Sequence, residues 1–117
     1  MRLNEMTFSD ARPIDGYGPG FFRVGGEIFK GGILMLPAGT RRWDGYEITG
    51  SIVDMADSID VIFVGTGAVT EIVPAGFRNV LESAGLGVEA MATPAACRTY
   101  NVLLSEGRRI AAALLPV

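Results

Sequence analysis

The fold is decided by the stretch Gly87-Val-Glu-Ala-Met-Ala-Thr-Pro-Ala-Ala-Cys-Arg-Thr-Tyr-Asn-Val-Leu-Leu-Ser-Glu-Gly107. It begins with a short apolar strand, Gly87–Met91. Thr93 is then predicted to be the N-cap of a helix over residues 94–106, because a threonine followed by a proline is a typical helix start. Gly107 is predicted to end the helix, since glycine readily adopts the left-handed conformation found at helix termini.

The same alternation of strand and helix precedes and follows this stretch. Residues 60–64 (Asp-Val-Ile-Phe-Val) contain a continuous apolar run, typical of a strand that is buried on both faces. Pro74 fits the first position of a second helix, which Gly85 would end. Residues 108–115 are predicted to form the last strand. This order predicts parallel strands joined by right-handed crossovers, so a βαβ unit carries the C-terminal half.

In the first half of the chain, glycines separate short apolar runs. Phe21–Val24 and residues 27–29 flank Gly25-Gly26, a spacing that predicts a two-residue hairpin turn. Residues 33–36 are predicted to be a third strand, which would complete an antiparallel meander. Residues 15–20 before the hairpin are rich in glycine and proline and are therefore predicted to be a loop.

Two segments between these halves have less regular patterns. Residues 41–48 are predicted to be a loop that leads into a short strand, because their alternation is imperfect. Residues 51–58 are predicted to be a short helix with Ile52, Val53 and Met55 on its apolar side. The whole pattern predicts an α/β domain in which an N-terminal β layer packs on a βαβ core.

Composition limits the range of functions. The 117 residues suffice for a single domain, residues 1–117, and their net charge of -3 gives no basic surface for nucleic acid. The chain has no histidine, which removes the commonest general base and zinc ligand, and one cysteine, which fits a reducing compartment. No apolar run approaches the roughly 18 residues of a membrane helix. We therefore expect a cytoplasmic protein that does not insert into a membrane and needs no cofactor or metal.

The candidate ligand site lies where two βα connections are predicted to meet. Gly65, Thr66 and Gly67 follow a buried strand, and Thr93 opens the next helix at the same end of the sheet. Backbone N–H groups of such a turn and of a helix start can hold an anion. Thr70 stands where a dinucleotide fingerprint would need its third glycine, so that motif is incomplete. The simpler interpretation, a tight turn and a helix cap, is favoured.

The helix that follows Thr93 carries four reactive or hydrogen-bonding side chains. Cys97 shares the core-facing stripe, so a buried structural thiol is favoured over a nucleophile, for which the chain has no histidine partner. Asn101 borders that stripe and needs partners for its amide, either loop carbonyls, which are favoured, or a ligand. Tyr100 is expected to bury its ring and to point its hydroxyl at the rim. Arg98 is expected to face solvent or a partner.

The first half is rich in aromatic side chains. They form either an aromatic core under the sheet, which is favoured, or an exposed patch for a partner or a second copy of the chain. The residues are Phe8, Phe21, Phe22, Phe29, Trp43 and Tyr46. Under the second interpretation Trp43, together with Arg98, is a candidate for contact with a protein partner, and a homo-oligomer is one such arrangement.

Four segments resemble the Mth-type family of domains of unknown function. They are residues 63–67, Gly87–Met91, residues 93–107 and residues 111–114. The most specific feature is the spacing between the Gly-Thr-Gly turn and the Thr-Pro helix. The resemblance extends from Tyr17 to the last residue. Members of this family include a mitochondrial assembly factor for respiratory complex I and an adipogenesis-associated protein.

This resemblance implies a three-layer α/β fold with a mixed central sheet, a βαβ C-terminal half and an extra N-terminal β-hairpin layer. It also implies a protein without established enzyme activity that acts through protein–protein contacts. The motif positions carry over as Gly65, Thr66, Gly67, Thr93, Cys97, Tyr100 and Asn101. The leading hypothesis is a non-catalytic binding or assembly module for another protein or a membrane complex. The alternative is a protein or enzyme that binds an anionic small molecule in the crevice between Gly65-Thr66-Gly67 and Thr93, with Tyr100 and Asn101 beside it.

Overall fold

The computed structural model describes residues 10–117, which fold into two β-sheets and three α-helices. The strands are β1 Gly16–Gly18, β2 Phe21–Val24, β3 Glu27–Lys30, β4 Gly32–Leu36, β5 Gly39–Trp43, β6 Val61–Gly65, β7 Gly87–Met91 and β8 Ile110–Leu114. The helices are α1 Gly50–Asp54, α2 Ala75–Ser83 and α3 Thr93–Ser105, with a short 3₁₀ helix at Ala56–Ser58. Within residues 10–117, no helix combines the length and the apolar character needed to span a membrane.

The central sheet is mixed and has the strand order β5-β4-β8-β6-β7. Strand β6 pairs in parallel with β7 on one side and with β8 on the other, whereas β4 pairs antiparallel with both β8 and β5. The predicted βαβ half and the predicted mixed sheet are therefore confirmed. Residues Ile62 to Gly65 of β6 are buried because helices or strands cover both faces of the sheet.

The two faces of the central sheet have separate cores. One face packs on α1 and α2, through a core that includes Ile62, Phe77 and Leu81. The other packs on α3 and the meander, through a core that includes Phe63 and Tyr100. This arrangement follows from right-handed crossovers, because α2 leads outward from β6 to β7 and α3 leads back past β6 to β8. The three predicted layers are confirmed, and the meander shares its layer with α3.

The meander consists of β1, β2 and β3, and its hairpin turn is as predicted. Gly25 and Gly26 have φ values of 59° and 80°, which only glycine adopts without strain. The loop prediction for residues 15–20 was wrong in part, because β1 lies within it and pairs with β2. The prediction that residues 33–36 complete the meander was also wrong, since β4 leaves it for the central sheet, where β8 offers a longer buried partner.

The segment between the two halves differs from the prediction in order and length. Strand β5 precedes the loop, whereas residues 41–48 were predicted to form a loop before a strand. Arg41 and Arg42 of β5 are exposed at the edge of the sheet. Because both are charged, β5 lacks the alternation of apolar and polar residues by which a strand is recognised in a sequence. Helix α1 is shorter than predicted and buries Ile52, while Val53 stays exposed. Pro74 directly precedes α2 and does not belong to its first turn.

Candidate functional site

The predicted Gly-Thr-Gly turn and the start of α3 meet in the structure, and they bind to each other. The N–H of Thr93 donates to the carbonyl oxygen of Gly67 at 2.8 Å, and the N–H of Gly67 donates to Oγ1 of Thr93 at 2.9 Å. The hydroxyl of Thr93 in turn donates to the carbonyl oxygen of Leu115 at 2.7 Å. Thr93 is fully buried, and its side chain joins the turn, the helix and the segment after β8.

Thr93 is therefore not the N-cap that the sequence predicted. Ala92 occupies the cap position without a side-chain hydrogen bond, and Thr93 is the first residue of α3. The hydroxyl of Thr93 is directed at the turn because Gly67 offers a buried N–H that needs an acceptor. Such a group would cost about 1–3 kcal/mol if it were left without a partner.

The close approach of the turn to α3 explains why glycine occupies position 65. A Cβ on Gly65 would lie 2.7 Å from Oγ1 of Thr93 and 2.8 Å from Cδ2 of Leu114. Gly67 has a φ of 102°, which disfavours any residue with a side chain. Both glycines are thus required by packing and backbone conformation at this point.

Thr66 fixes the loop that follows the turn. Its hydroxyl donates to the carbonyl oxygen of Val69 at 2.7 Å and accepts from the N–H of Glu71 at 3.0 Å. Its own N–H donates to the carbonyl oxygen of Met91 at 2.9 Å. Thr70 adds a tie to the start of α3 by accepting from the N–H of Ala92 at 3.1 Å. The loop is therefore held from inside the protein, although its outer side chains face solvent.

Tyr100 and Asn101 hold the N-terminal segment against α3. The Asn101 amide accepts from the N–H of Ile14 at 2.8 Å and donates to the carbonyl oxygen of Ile14 at 2.9 Å, as a neighbouring β-strand would. The hydroxyl of Tyr100 donates to the carbonyl oxygen of Arg12 at 3.0 Å. Burial raises the pKa of Tyr100 far above its ordinary value, so the phenol stays neutral. The favoured prediction for Asn101, loop carbonyls as partners, agrees with these bonds.

Cys97 and Arg98 lie side by side on α3 but face different surroundings. Cys97 is buried in the core beneath α3, and burial raises the pKa of its thiol to about 11 despite the opposing effect of Arg98. A thiol with this pKa is almost entirely protonated at neutral pH and is a poor nucleophile. Arg98 is exposed, as predicted.

Trp43 is a core residue and not the surface contact that the sequence suggested. It is 2% exposed, and its indole N–H donates to the carbonyl oxygen of Ile48 at 3.0 Å. Its ring packs against those of Tyr46 and Phe77 at centroid distances of 5.4 Å and 5.8 Å. The aromatic-core interpretation thus holds for Trp43, while Phe8 lies outside the described residues.

The loop after Thr66 displays aliphatic side chains that were not among the predicted site residues. Val69 is 60% exposed and Ile72 is 96% exposed, although both are aliphatic. We call residues 68–72 the aliphatic loop. The segment between Gly67 and Pro74 fits neither a helix nor a strand, yet it holds three branched aliphatic residues, Val69, Ile72 and Val73. Of these only Val73 is buried. Large aliphatic side chains in such a position contribute little to the core, and an interaction surface is one use for them.

The described residues contain no cluster of side chains arranged as metal ligands. Within residues 10–117, no group of three or more cysteine, aspartate or glutamate side chains converges as metal ligands would. In the same range, every buried side-chain nitrogen and oxygen has a hydrogen-bond partner. The polar groups of the candidate site are therefore engaged in holding the fold.

Most of the chain matches one known protein family. Residues 14–115 match the family described as "Protein of unknown function (DUF498/DUF598)". The chain belongs to this family. The match spans all the elements from β1 to β8, so the family prediction made from the turn and the Thr-Pro helix is confirmed.

Two relatives illustrate the range of the family. An uncharacterised protein of Rhodobacter capsulatus is 44% identical over 117 residues, which cover all of this chain and 94% of the relative. The NADH dehydrogenase (ubiquinone) 1 alpha subcomplex assembly factor 3 of Danio rerio is 35% identical over 111 residues. That alignment covers 86% of this chain and 62% of the assembly factor, so the chain spans less than two thirds of that protein.

Solved structures share the fold. The crystal structure of an outer membrane protein from Bartonella henselae is 34% identical and has a TM-score of 0.85, covering 94% of this chain and 98% of that one. The solution structure of an Mth938-like domain from Bordetella pertussis is 29% identical and has a TM-score of 0.74, covering 99% and 92%. The predicted Mth-type fold is confirmed by these likenesses.

Proposed function

We propose that this chain is a non-catalytic binding module that assists the assembly of a membrane-bound NADH dehydrogenase, and that it holds a subunit through the aliphatic loop. The observation that carries the proposal is the construction of that loop. The buried hydroxyl of Thr66 fixes its backbone, while Val69 and Ile72 project into solvent. A loop that is already ordered loses little conformational entropy on binding, which favours affinity.

The relatives support the type of client. Members of the family with similar sequences carry the name of an NADH dehydrogenase assembly factor, and a factor of this kind has to contact subunits of the enzyme. The aliphatic loop is suited to such contacts because Val69 and Ile72 would gain free energy if a partner removed their apolar surface from water. The chain covers only 62% and 66% of the lengths of these two relatives. The identity of its client is therefore proposed and does not follow from the alignments.

The alternative role, an anionic ligand between the Gly-Thr-Gly turn and Thr93, has less support. Four donors that would serve it are engaged internally: the hydroxyls of Thr66 and Thr93 and the N–H groups of Thr66 and Gly67. An anion would have to replace these bonds, and the fold would lose them.

The test is genetic complementation in the native host. Deletion of the gene is expected to reduce the amount of assembled NADH dehydrogenase on native gels, and the wild-type gene is expected to restore it. Ile72→Glu is expected to fail, because a charge replaces an apolar anchor, which costs roughly tenfold or more in affinity. The melting temperature should not change, since Ile72 is almost fully exposed.

Val102→Glu is the matched control. Like Ile72, Val102 is an exposed branched aliphatic residue, with 56% of its surface accessible, but it lies on α3, away from the loop. It should restore assembly as the wild type does. Normal assembly in the deletion strain, or full complementation by Ile72→Glu, would contradict the proposed function.

A further inference from the structure

An open groove of about 760 Å³ runs between α2 and the segment after β5. One wall, from that segment, consists of Gly45, Tyr46, Glu47 and Thr49. The other consists of Pro74, which precedes α2, and of Gly76, Phe77 and Val80 of α2. Gly76 has no heavy atom within 4 Å of a Cβ built on it, so nothing in the described residues fills this part of the groove. Val80 is 44% exposed at its edge.

The floor of the groove is held in place by contacts with the core. Tyr46 and Phe77 pack edge to face at a centroid distance of 5.0 Å, and Trp43 lies behind both of them. Trp43 is in turn fixed by its bond to Ile48. The groove thus presents the half-buried ring of Tyr46, which the buried rings of Phe77 and Trp43 support, and the exposed aliphatic side chain of Val80.

The charge at the rim is acidic. Glu47 lines the groove, and Glu71 of the aliphatic loop is near enough to Tyr46 to raise the pKa of its phenol further, after burial. None of the eight lining residues is basic. Arg78 of α2 is engaged elsewhere, because its guanidinium bonds to Glu82 at 3.3 Å and to the carbonyl oxygen of Val88 at 3.2 Å. An apolar floor under an acidic rim favours an occupant that is apolar on one side and cationic beside it.

We infer that the groove binds an amphipathic helix of a partner protein, whose apolar face contacts Tyr46 and Val80 and whose lysine or arginine residues pair with Glu47 and Glu71. Such helices dock through side chains one turn apart, and a groove of this size accepts a few of them. The inference rests on the proposed function as a protein-binding module. It adds the chemistry of the partner segment, and it extends the binding surface from the aliphatic loop to α2.

The test uses two model peptides of 18 residues that carry the same leucine face and lack tryptophan. One has lysine at every polar position, and the other has glutamate there. Trp43 is the single tryptophan of the chain and contacts Tyr46, so its fluorescence reports occupation of the groove. We expect saturable binding of the lysine peptide and at least tenfold weaker binding of the glutamate peptide.

Charge reversal separates a specific groove from general attraction to an acidic protein. The double variant Glu47→Lys with Glu71→Lys should weaken the lysine peptide roughly tenfold and strengthen the glutamate peptide, since two ion pairs are inverted. The control variant Glu89→Lys with Glu106→Lys makes the same change in net charge on β7 and at the end of α3. The control should leave both affinities within twofold of the wild type.

The apolar contact of the groove is tested in the same peptide assay by comparing Val80→Glu with Val102→Glu. Only Val80→Glu should weaken binding of the lysine peptide.

Equal affinity for the two peptides, or equal effects of the two charge variants, would overturn the inference. So would a dimer of the chain alone that Val80→Glu dissociates in sedimentation, because a second copy would then occupy the groove. If Ile72→Glu blocks assembly in the host while Val80→Glu does not, the groove inference fails and the proposed function stands.

Discussion

At the scale of single residues, the hydroxyl of Thr93 joins three parts of the chain. Thr93→Val keeps the shape of the side chain but leaves the N–H of Gly67 and the carbonyl of Leu115 without their partner. We expect a loss of about 2–4 kcal/mol in the free energy of unfolding, measured by denaturation in urea. Thr93→Ser retains the hydroxyl and should lose clearly less. Equal losses for both variants would show that the hydrogen bonds contribute little.

The thiol of Cys97 should make stability depend on pH in the alkaline range. Its pKa rises from 9.0 to about 11 on folding because burial disfavours the thiolate. Between these values the unfolded chain binds fewer protons than the folded one, so stability falls as pH rises, by roughly 2–3 kcal/mol in all. Denaturation at pH 8 and at pH 10 should show a fall that is smaller in Cys97→Ala. An identical fall in that variant would exclude Cys97 as its source.

The sequence indicated which polar residues matter at this scale but not the bonds that they make. Thr66, Thr93, Tyr100 and Asn101 stood out because polar side chains at strand ends or beside an apolar stripe require partners. The partner of Asn101 is Ile14, which is 87 positions away. No local pattern carries that information, because it arises only when the meander packs beside α3.

At the scale of elements, α3 anchors the N-terminal segment as well as the turn. Asn101→Ala removes both bonds to Ile14, so the amide proton of Ile14 should exchange with solvent at least tenfold faster. Amide protons of β6 and β8 should keep their protection, because the central sheet does not involve Asn101. Hydrogen exchange followed by NMR measures both. Unchanged exchange at Ile14 would indicate that other contacts hold this segment.

The C-terminal elements were predictable because their signals are local. The apolar run before Gly65, the Thr-Pro helix start and Gly107, which has a φ of 78°, each identify an element within a few residues. The short strands of the first half carry weaker signals. Strand β1 consists of Gly16, Tyr17 and Gly18, and a Cβ on Gly18 would lie 2.5 Å from the ring of Phe21 on the paired strand β2. The need for glycine at position 18 is therefore visible only once β1 is paired with β2.

At the scale of the whole molecule, the sheet depends on β8. This strand lies between β4 and β6 and carries five buried residues, so it joins the β4–β5 hairpin to the parallel pair β6–β7. A chain that ends after Arg109 should fail to form the central sheet and should be recovered as insoluble protein, because two long apolar edges stay unpaired. A chain that ends after Pro116 retains β8 and should remain soluble. Cooperative thermal unfolding of the shorter chain would contradict this expectation.

The position of β8 also has a consequence for biosynthesis. A ribosome makes every other described strand and helix before it reaches Ile110, yet the strand that occupies the middle of the sheet is the one that follows. Until Leu114 has emerged, the nascent chain carries two half-sheets that cannot join, with the apolar faces of β4 and β6 accessible to other chains. The interval between the emergence of β6 and that of β8 is therefore the period in which this chain is most prone to aggregate and most in need of chaperones.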